Sequence, residues 1–343
     1  MKLISFVVPS YNSEKYLNKC LDSLLEAGDD GEIIVVNDGS TDNTSKIAHE
    51  YQNKHPSIVK VVDKPNGGHG SGVNVGLANA SGLYFKVVDS DDWLDNGALK
   101  ILLETIRIHQ KQQCLPDLYV ANLVKERVEA GTQKVIKCKK FFPQNKNFGW
   151  NDVKKFGLMD FLIMHNMVYK TEILRNYGLV LPEHTFYVDN LVAYNPLPCV
   201  QTLHFLDVDL YRYYIGRSDQ SVTAENITKR YRQQICVMKN MAFSHKYQDL
   251  KSLPKGLSRY MFHYLSLLMS LTVMFTTSGK DNREQRKADL KEMWASIKAA
   301  DKKMYGFLKH RSITGAINWM PFAMQGKITW LCYKIVCRVL DYD

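Results

Sequence analysis

Asp89, Ser90, Asp91 and Asp92 close the apolar run LYFKVVDSDDW, whose aromatic and branched residues read as a buried strand from Leu83 to Val88. Open α/β sheets bind their ligands at the carboxyl ends of strands, where these carboxylates would stand. In extended backbone Asp89 and Asp91, two positions apart, would point to one side. Hard oxygen ligands so placed suit Mg2+ or Mn2+, which take a few carboxylates and complete their shell with water and substrate phosphate. The competing reading is an acidic turn that caps the next helix.

The elements that would position this turn follow a regular order. Lys2 to Val8 reads as a strand ending in PSYN, and Glu14 to Ala27 as an amphipathic helix with Leu17, Cys20, Leu21, Leu24 and Leu25 on one stripe. A second strand, Glu32 to Val36, runs into NDGSTD. A third, Ile58 to Val62, precedes the glycine-rich NGGHGSGVN, and a helix through Leu77 leads to the fourth strand. Strand, polar loop and helix in repetition imply a parallel sheet with its functional loops on one edge.

Four polar loops converging on one edge suit a nucleotide. Tyr11 could stack on a base, Asp38 could accept from a base or ribose group, and Gly67, Gly68, Gly70 and Gly72 would let the backbone approach a diphosphate. The glycine loop lacks the Lys-Ser/Thr ending of a phosphate-binding P-loop, and no GxGxxG follows the first strand. ATPase and dehydrogenase chemistry are therefore disfavoured.

PSYN with Glu14, then VVNDGSTD, NGG with Asn74 and Gly76, and DSDDW together resemble a family 2 glycosyltransferase of the GT-A fold. The resemblance is close over the first hundred residues and looser to about residue 222. It implies an α/β, Rossmann-like, mostly parallel sheet with helices on both faces. It also implies an inverting transfer from a nucleotide sugar, most readily a UDP-sugar, to a glycan or lipid-linked acceptor. Pro9, Tyr11, Asn12, Glu14, Asp38, Asn66, Gly67, Gly68 and Ser90 would then line the donor site, with Asp38 at the nucleoside. Asp89 and Asp91 would hold Mn2+ or Mg2+. LPEHTFYVDN is similar to the segment carrying the family's catalytic base, which assigns Asp189 to deprotonate the acceptor hydroxyl. YRYYIGRSDQSVT resembles the strand and loop that close the catalytic domain.

The pattern departs from the family twice. Val73 stands where the third motif usually carries Arg, so another cation, Arg217 being the candidate, would meet the diphosphate. Val188 replaces the Glu of the usual Glu-Asp pair. Two other functions compete: a sugar nucleotidyltransferase, which would show a glycine- and arginine-rich loop after its first strand, and an inactive scaffold relative.

Composition divides the chain near Thr223. Residues 1–224 hold 24 Lys/Arg and 26 Asp/Glu, whereas residues 225–343 hold 21 and 9, so the net charge of +10 belongs to the C-terminal part. The expected domains are 1–224, with donor binding in 1–100 and the acceptor side in 101–224, and a helical, basic 225–343. Residues 125–150 read as a hairpin or flap. From Lys327 to Leu340 apolar residues recur at helical spacing with Lys327, Lys334 and Arg338 off the stripe, a composition suited to an anionic membrane surface. Tyr260 to Gly279 has no charged residue, but its serines, threonines and His263 favour a buried helix over a span. Seven cysteines without metal-ligand spacing read as reduced core residues, and no leader precedes the first strand. The expectation is a cytoplasmic protein, peripheral on the inner membrane face, with no nucleic-acid partner.

Overall fold

The computed structural model describes residues 2–216, 224–279 and 281–340. Two compact units emerge, residues 1–154 with 162–220, and residues 155–161 with 221–343. The short segment 155–161, counted with the acceptor side from sequence, thus belongs with the C-terminal helices.

In the first unit β1 (Ile4–Ser10), β2 (Gly31–Asn37), β3 (Val59–Asp63) and β4 (Tyr84–Val87) alternate with α1 (Leu17–Leu25), α2 (Thr44–Lys54) and α3 (His69–Asn79). Then come β5 (Trp93–Leu94), α4 (Asn96–Lys111), β6 (Leu118–Arg127), β7 (Thr132–Ile136), β8 (Asn147–Phe148) and β9 (Met167–Lys170). The unit ends with α5 (Thr171–Tyr177), α6 (Asp189–Tyr194) and β10 (Leu203–Tyr214). The sheet runs β3-β2-β1-β4-β9-β6-β10-β5. Its first four strands are parallel, with Ile4 opposite both Gly31 and Tyr84. β9 then inserts antiparallel to both β4 and β6, so the sheet is mixed. β7 folds back on β6 as the hairpin expected near residue 125.

All seven residues of β1 are buried, because helices cover both faces. Phe6 and Val8 join the core formed with Leu17, Leu21 and Leu24 of α1 and Leu99, Leu102 and Ile106 of α4. Val7 faces the other way onto α3, where a Cβ on Gly76 would lie 2.1 Å from Val7 Cγ1. Only glycine lets helix and sheet approach so closely.

The second unit contains α7 (Ala224–Lys229), α8 (Tyr231–Ser244), α9 (Tyr247–Ser252), α10 (Lys255–Ser278), α11 (Arg283–Ala300), α12 (Lys302–His310) and α13 (Phe322–Leu340). By length and composition α10 could cross a bilayer, yet 72% of its apolar window is buried within the protein. Thr272, Thr276 and Thr277 return their hydroxyls to carbonyls four residues back at 2.7–2.8 Å. These polar groups are thereby satisfied inside the core, as the sequence suggested. Of the six described cysteines, all free, Cys20 and Cys138 are buried while Cys332 is exposed, so the core reading holds for some of them only.

Candidate active site

Extended geometry does not persist past Val87. Asp89 to Asp92 forms a turn closed by the Asp92 amide donating to the Asp89 carbonyl at 2.9 Å. The strand-alternation argument for pairing Asp89 with Asp91 therefore fails, and the turn gives the three carboxylates different surroundings.

Asp92 is fully buried. Its carboxylate accepts from Tyr211 Oη at 2.7 Å and from the Tyr214 amide at 2.8 Å, pinning the turn to β10. Burial, and then the charges of Asp91 and Asp89, raise its pKa well above the ordinary carboxylate range. Asp89 is more open. Its Oδ1 lies 2.9 Å from His69 Nε2, and its Oδ2 lies 3.9 Å from His165 Nε2. Burial works to raise its pKa, but His69, His165 and Lys86 outweigh that and keep the carboxyl below its usual value. Asp91 is half-buried beside them, and Ser90 ties its hydroxyl to Ser13 at 2.6 Å.

Beneath the turn sits a layer that sequence reasoning did not single out. Lys86, buried in β4, donates to the His165 carbonyl at 2.8 Å, and burial lowers its pKa to about 7. His165 stacks on Tyr211 and Tyr213 with ring centroids 4.4 and 5.2 Å away. Burial lowers its pKa to about 4, so it is neutral, the form that ligates metals, and its Nδ1 has no hydrogen-bond partner among the described residues. Tyr213 lies among the carboxylates: after burial, the charges of Asp92, Asp89, Asp189 and Asp91 all oppose its ionisation. A lysine in an otherwise apolar strand, three residues before an acidic turn, was the one available signal for this layer.

The expected base, Asp189, opens α6 and is half-buried. Burial pushes its pKa up to about 6, a rise that His69 moderates and Asp89 reinforces. Val188, in place of the family's Glu, is buried near Gly70.

Asp38 is also buried, and its carboxylate accepts from Lys64 Nζ at 2.6 Å and from the Gly67 and Gly68 amides at 2.9 and 2.7 Å. Asn66 donates to the Asp38 carbonyl at 3.0 Å. Asp38 thus shapes the glycine loop, whatever it offers a nucleoside. The glycines serve close packing: a Cβ on Gly68 would meet the His184 amide at 3.1 Å, and one on Gly70 the Pro182 carbonyl at 2.6 Å. Asn74 brackets Leu181 with two 2.9 Å bonds, completing the seam between α3 and the segment that carries Asp189.

Pro9 is buried against Gly72, and Tyr11 stands 52% exposed at the rim, free to receive a planar group. Asn12 holds positive φ and accepts from the Thr41 amide at 2.8 Å, while Glu14 accepts from the Asn43 amide at 3.0 Å. These two residues lock the PSYN loop to NDGSTD. Arg217 lies outside the described residues.

For a divalent ion the donor set fits. Asp89, Asp92 and His165 each offer a ligand atom within 4.8 Å of one another, although both Asp92 oxygens already accept protein hydrogen bonds. Asp89, with the half-buried Asp91 beside it and the unprotonated His165 near it, is the better-placed group.

A sheet of this topology, with four loops and a carboxylate cluster at one edge, has known relatives. The family described as "Glycosyl transferase family 2" matches residues 5–178, and the chain belongs to that family of sugar-transferring enzymes. It is 38% identical over 120 residues to the glycosyltransferase GlyA of Streptococcus pneumoniae. It is 40% identical over 103 residues to the poly(ribitol-phosphate) beta-N-acetylglucosaminyltransferase TarS of Staphylococcus aureus. Those matches cover 35% and 29% of this chain but only 17% and 18% of the relatives' length. Residues 1–349 of S. aureus TarS, solved with UDP-GlcNAc, superpose with a TM-score of 0.67 at 20% identity, covering 97% of this chain and 92% of that one. The fold is GT-A.

Proposed function

We propose that this chain is an inverting, metal-assisted glycosyltransferase that moves a sugar from a UDP-sugar to a glycan or lipid-linked acceptor, with Asp189 as general base. The observation that carries this reading is Asp189 itself. Its pKa, pushed up to about 6, makes it a stronger base than an ordinary carboxylate, and it shares its surroundings with the Asp89 turn. The relative TarS, solved with UDP-GlcNAc and named for a poly(ribitol-phosphate) acceptor, supports the UDP-sugar donor and an acceptor of polymeric kind.

In the reaction Asp189 takes the proton of the acceptor hydroxyl. The freed oxygen forms its bond to the anomeric carbon on the face opposite the nucleotide, the bond from that carbon to the diphosphate oxygen breaks, and the diphosphate departs with the electron pair. One displacement inverts the anomeric centre, by the logic of single-step glycosidases. Asp89 and Asp91, with His165 behind, would hold Mn2+ or Mg2+, which when bound would neutralise charge on the departing diphosphate. Asp92 and Tyr211 keep the turn in place, and Tyr11 offers its exposed ring to the base. Lys64, paired with Asp38, brings a cation to the edge where Val73 supplies none, and His69 beside Asp89 would add a second when protonated.

Incubation with a panel of nucleotide sugars and Mn2+, read as nucleoside diphosphate release, tests the proposal. Release from a UDP-sugar that stops in EDTA supports it. Absence of both release and thermal stabilisation with every donor would refute it.

A further inference from the structure

We infer that α13 and the turn before it form a docking face for an anionic membrane surface. The observation is the exposed face of α13 over its described side chains. Gln325, Gly326 and Thr329 form the buried stripe of α13. A Cβ on Gly326 would meet the Thr277 carbonyl of α10 at 2.3 Å, so only glycine permits this seat. Gln325 spends its amide on the Met320 carbonyl at 2.8 Å, and Thr329 returns its hydroxyl to the Gln325 carbonyl at 2.8 Å. Over residues 322–332 the helix therefore packs closest through small and polar residues.

On the opposite side, two large apolar residues of its described part face outward. Met324 and Leu331 are 49% and 58% exposed, and Trp319, just ahead of the helix, is 67% exposed. Lys327 and Lys334 are exposed at positions that interleave with Met324 and Leu331 at helical spacing. A helix docked for stability alone would not leave Met324 and Leu331 in water, since burying a leucine gains about 2 kcal/mol over leaving it exposed.

Charge selects the occupant. The second unit's residues 225–343 carry 21 Lys/Arg against 9 Asp/Glu, among them Lys309, whose ammonium lies 5.7 Å from the centre of the Trp319 ring. A second copy of the chain presenting the same face would set like charges against Lys327 and Lys334. Anionic lipid complements them, while the apolar side chains and the indole enter the interface. Such lipid lines the cytoplasmic leaflet, which would hold the enzyme at the inner membrane face and near a lipid-linked acceptor. This inference rests on the second unit and not on the proposed reaction.

Flotation of the 343-residue chain with vesicles of phosphatidylcholine, alone or mixed with phosphatidylglycerol, tests it. Binding should require the anionic lipid and weaken in high salt. Lys327→Glu with Lys334→Glu, and separately Trp319→Ser with Leu331→Ser, should each reduce the bound fraction about tenfold or more. All four positions are exposed, so unfolding temperatures should stay unchanged. Equal failure to float with both vesicle types would overturn the inference. So would a dimer, seen by sedimentation, that these same substitutions disperse while vesicle binding persists.

Discussion

Tyr211 donates its hydroxyl to Asp92 at 2.7 Å across 119 residues of chain, and the same oxygen accepts the Asp89 amide at 3.1 Å. One phenol thereby ties the acidic turn to β10 and fixes where Asp89 stands. Tyr211→Phe keeps the ring but strands a buried carboxylate oxygen and an amide. Urea unfolding should show a loss of about 2–3 kcal/mol, the cost of orphaning buried polar groups. Unchanged stability would mean that water or another donor already serves Asp92.

Asp189 should act in the transition state more than in donor binding. Asp189→Asn should lower turnover by about a thousandfold or more while leaving the affinity for the nucleotide sugar nearly intact. In the wild type, transfer should rise with pH through about 6, because the base works only when deprotonated. Loss of donor binding in the variant would reassign Asp189 to the donor side.

His204, buried in β10 and hydrogen-bonded to Asn147 at 2.8 Å, has its pKa lowered to about 4 by burial and then by His109. Unfolded, it would titrate near its ordinary value of 6.5. Between those values the unfolded chain binds the extra proton, so the neutral-His204 contribution is full above pH 6.5 and falls away toward pH 4. Relative to its own value at pH 7.5, wild-type stability at pH 4.5 should drop about 2 kcal/mol further than that of His204→Gln. Parallel losses in the two proteins would contradict the assignment.

Much of the donor half was legible in sequence because its signals are local. The strands around Phe6, Ile34 and Val61 appear within a residue or two of where apolar runs placed them, and the acidic turn ends β4 as expected. Strand alternation was the wrong reason to pair Asp89 with Asp91, since it applies only while the backbone stays extended and the chain turns there. His165, Tyr211 and Tyr213 reach the turn from strands and loops far along the chain, and no local pattern announces such a meeting. The glycines of NGGHGSG were read for phosphate, whereas Gly70 is required by Pro182 more than a hundred residues away. For α13 the periodicity correctly indicated a helix, but it could not announce that Gln325, Gly326 and Thr329 would be buried while Leu331 stands exposed.

Calorimetry with UDP, in Mn2+ and in EDTA, tests most directly whether the acidic turn holds a metal-bound donor diphosphate. The wild type should bind UDP at least about tenfold more tightly with Mn2+, and Asp89→Asn should erase that gain while keeping the EDTA-level affinity. Equal affinity with and without the metal, or a full Mn2+ enhancement in Asp89→Asn, would contradict the account.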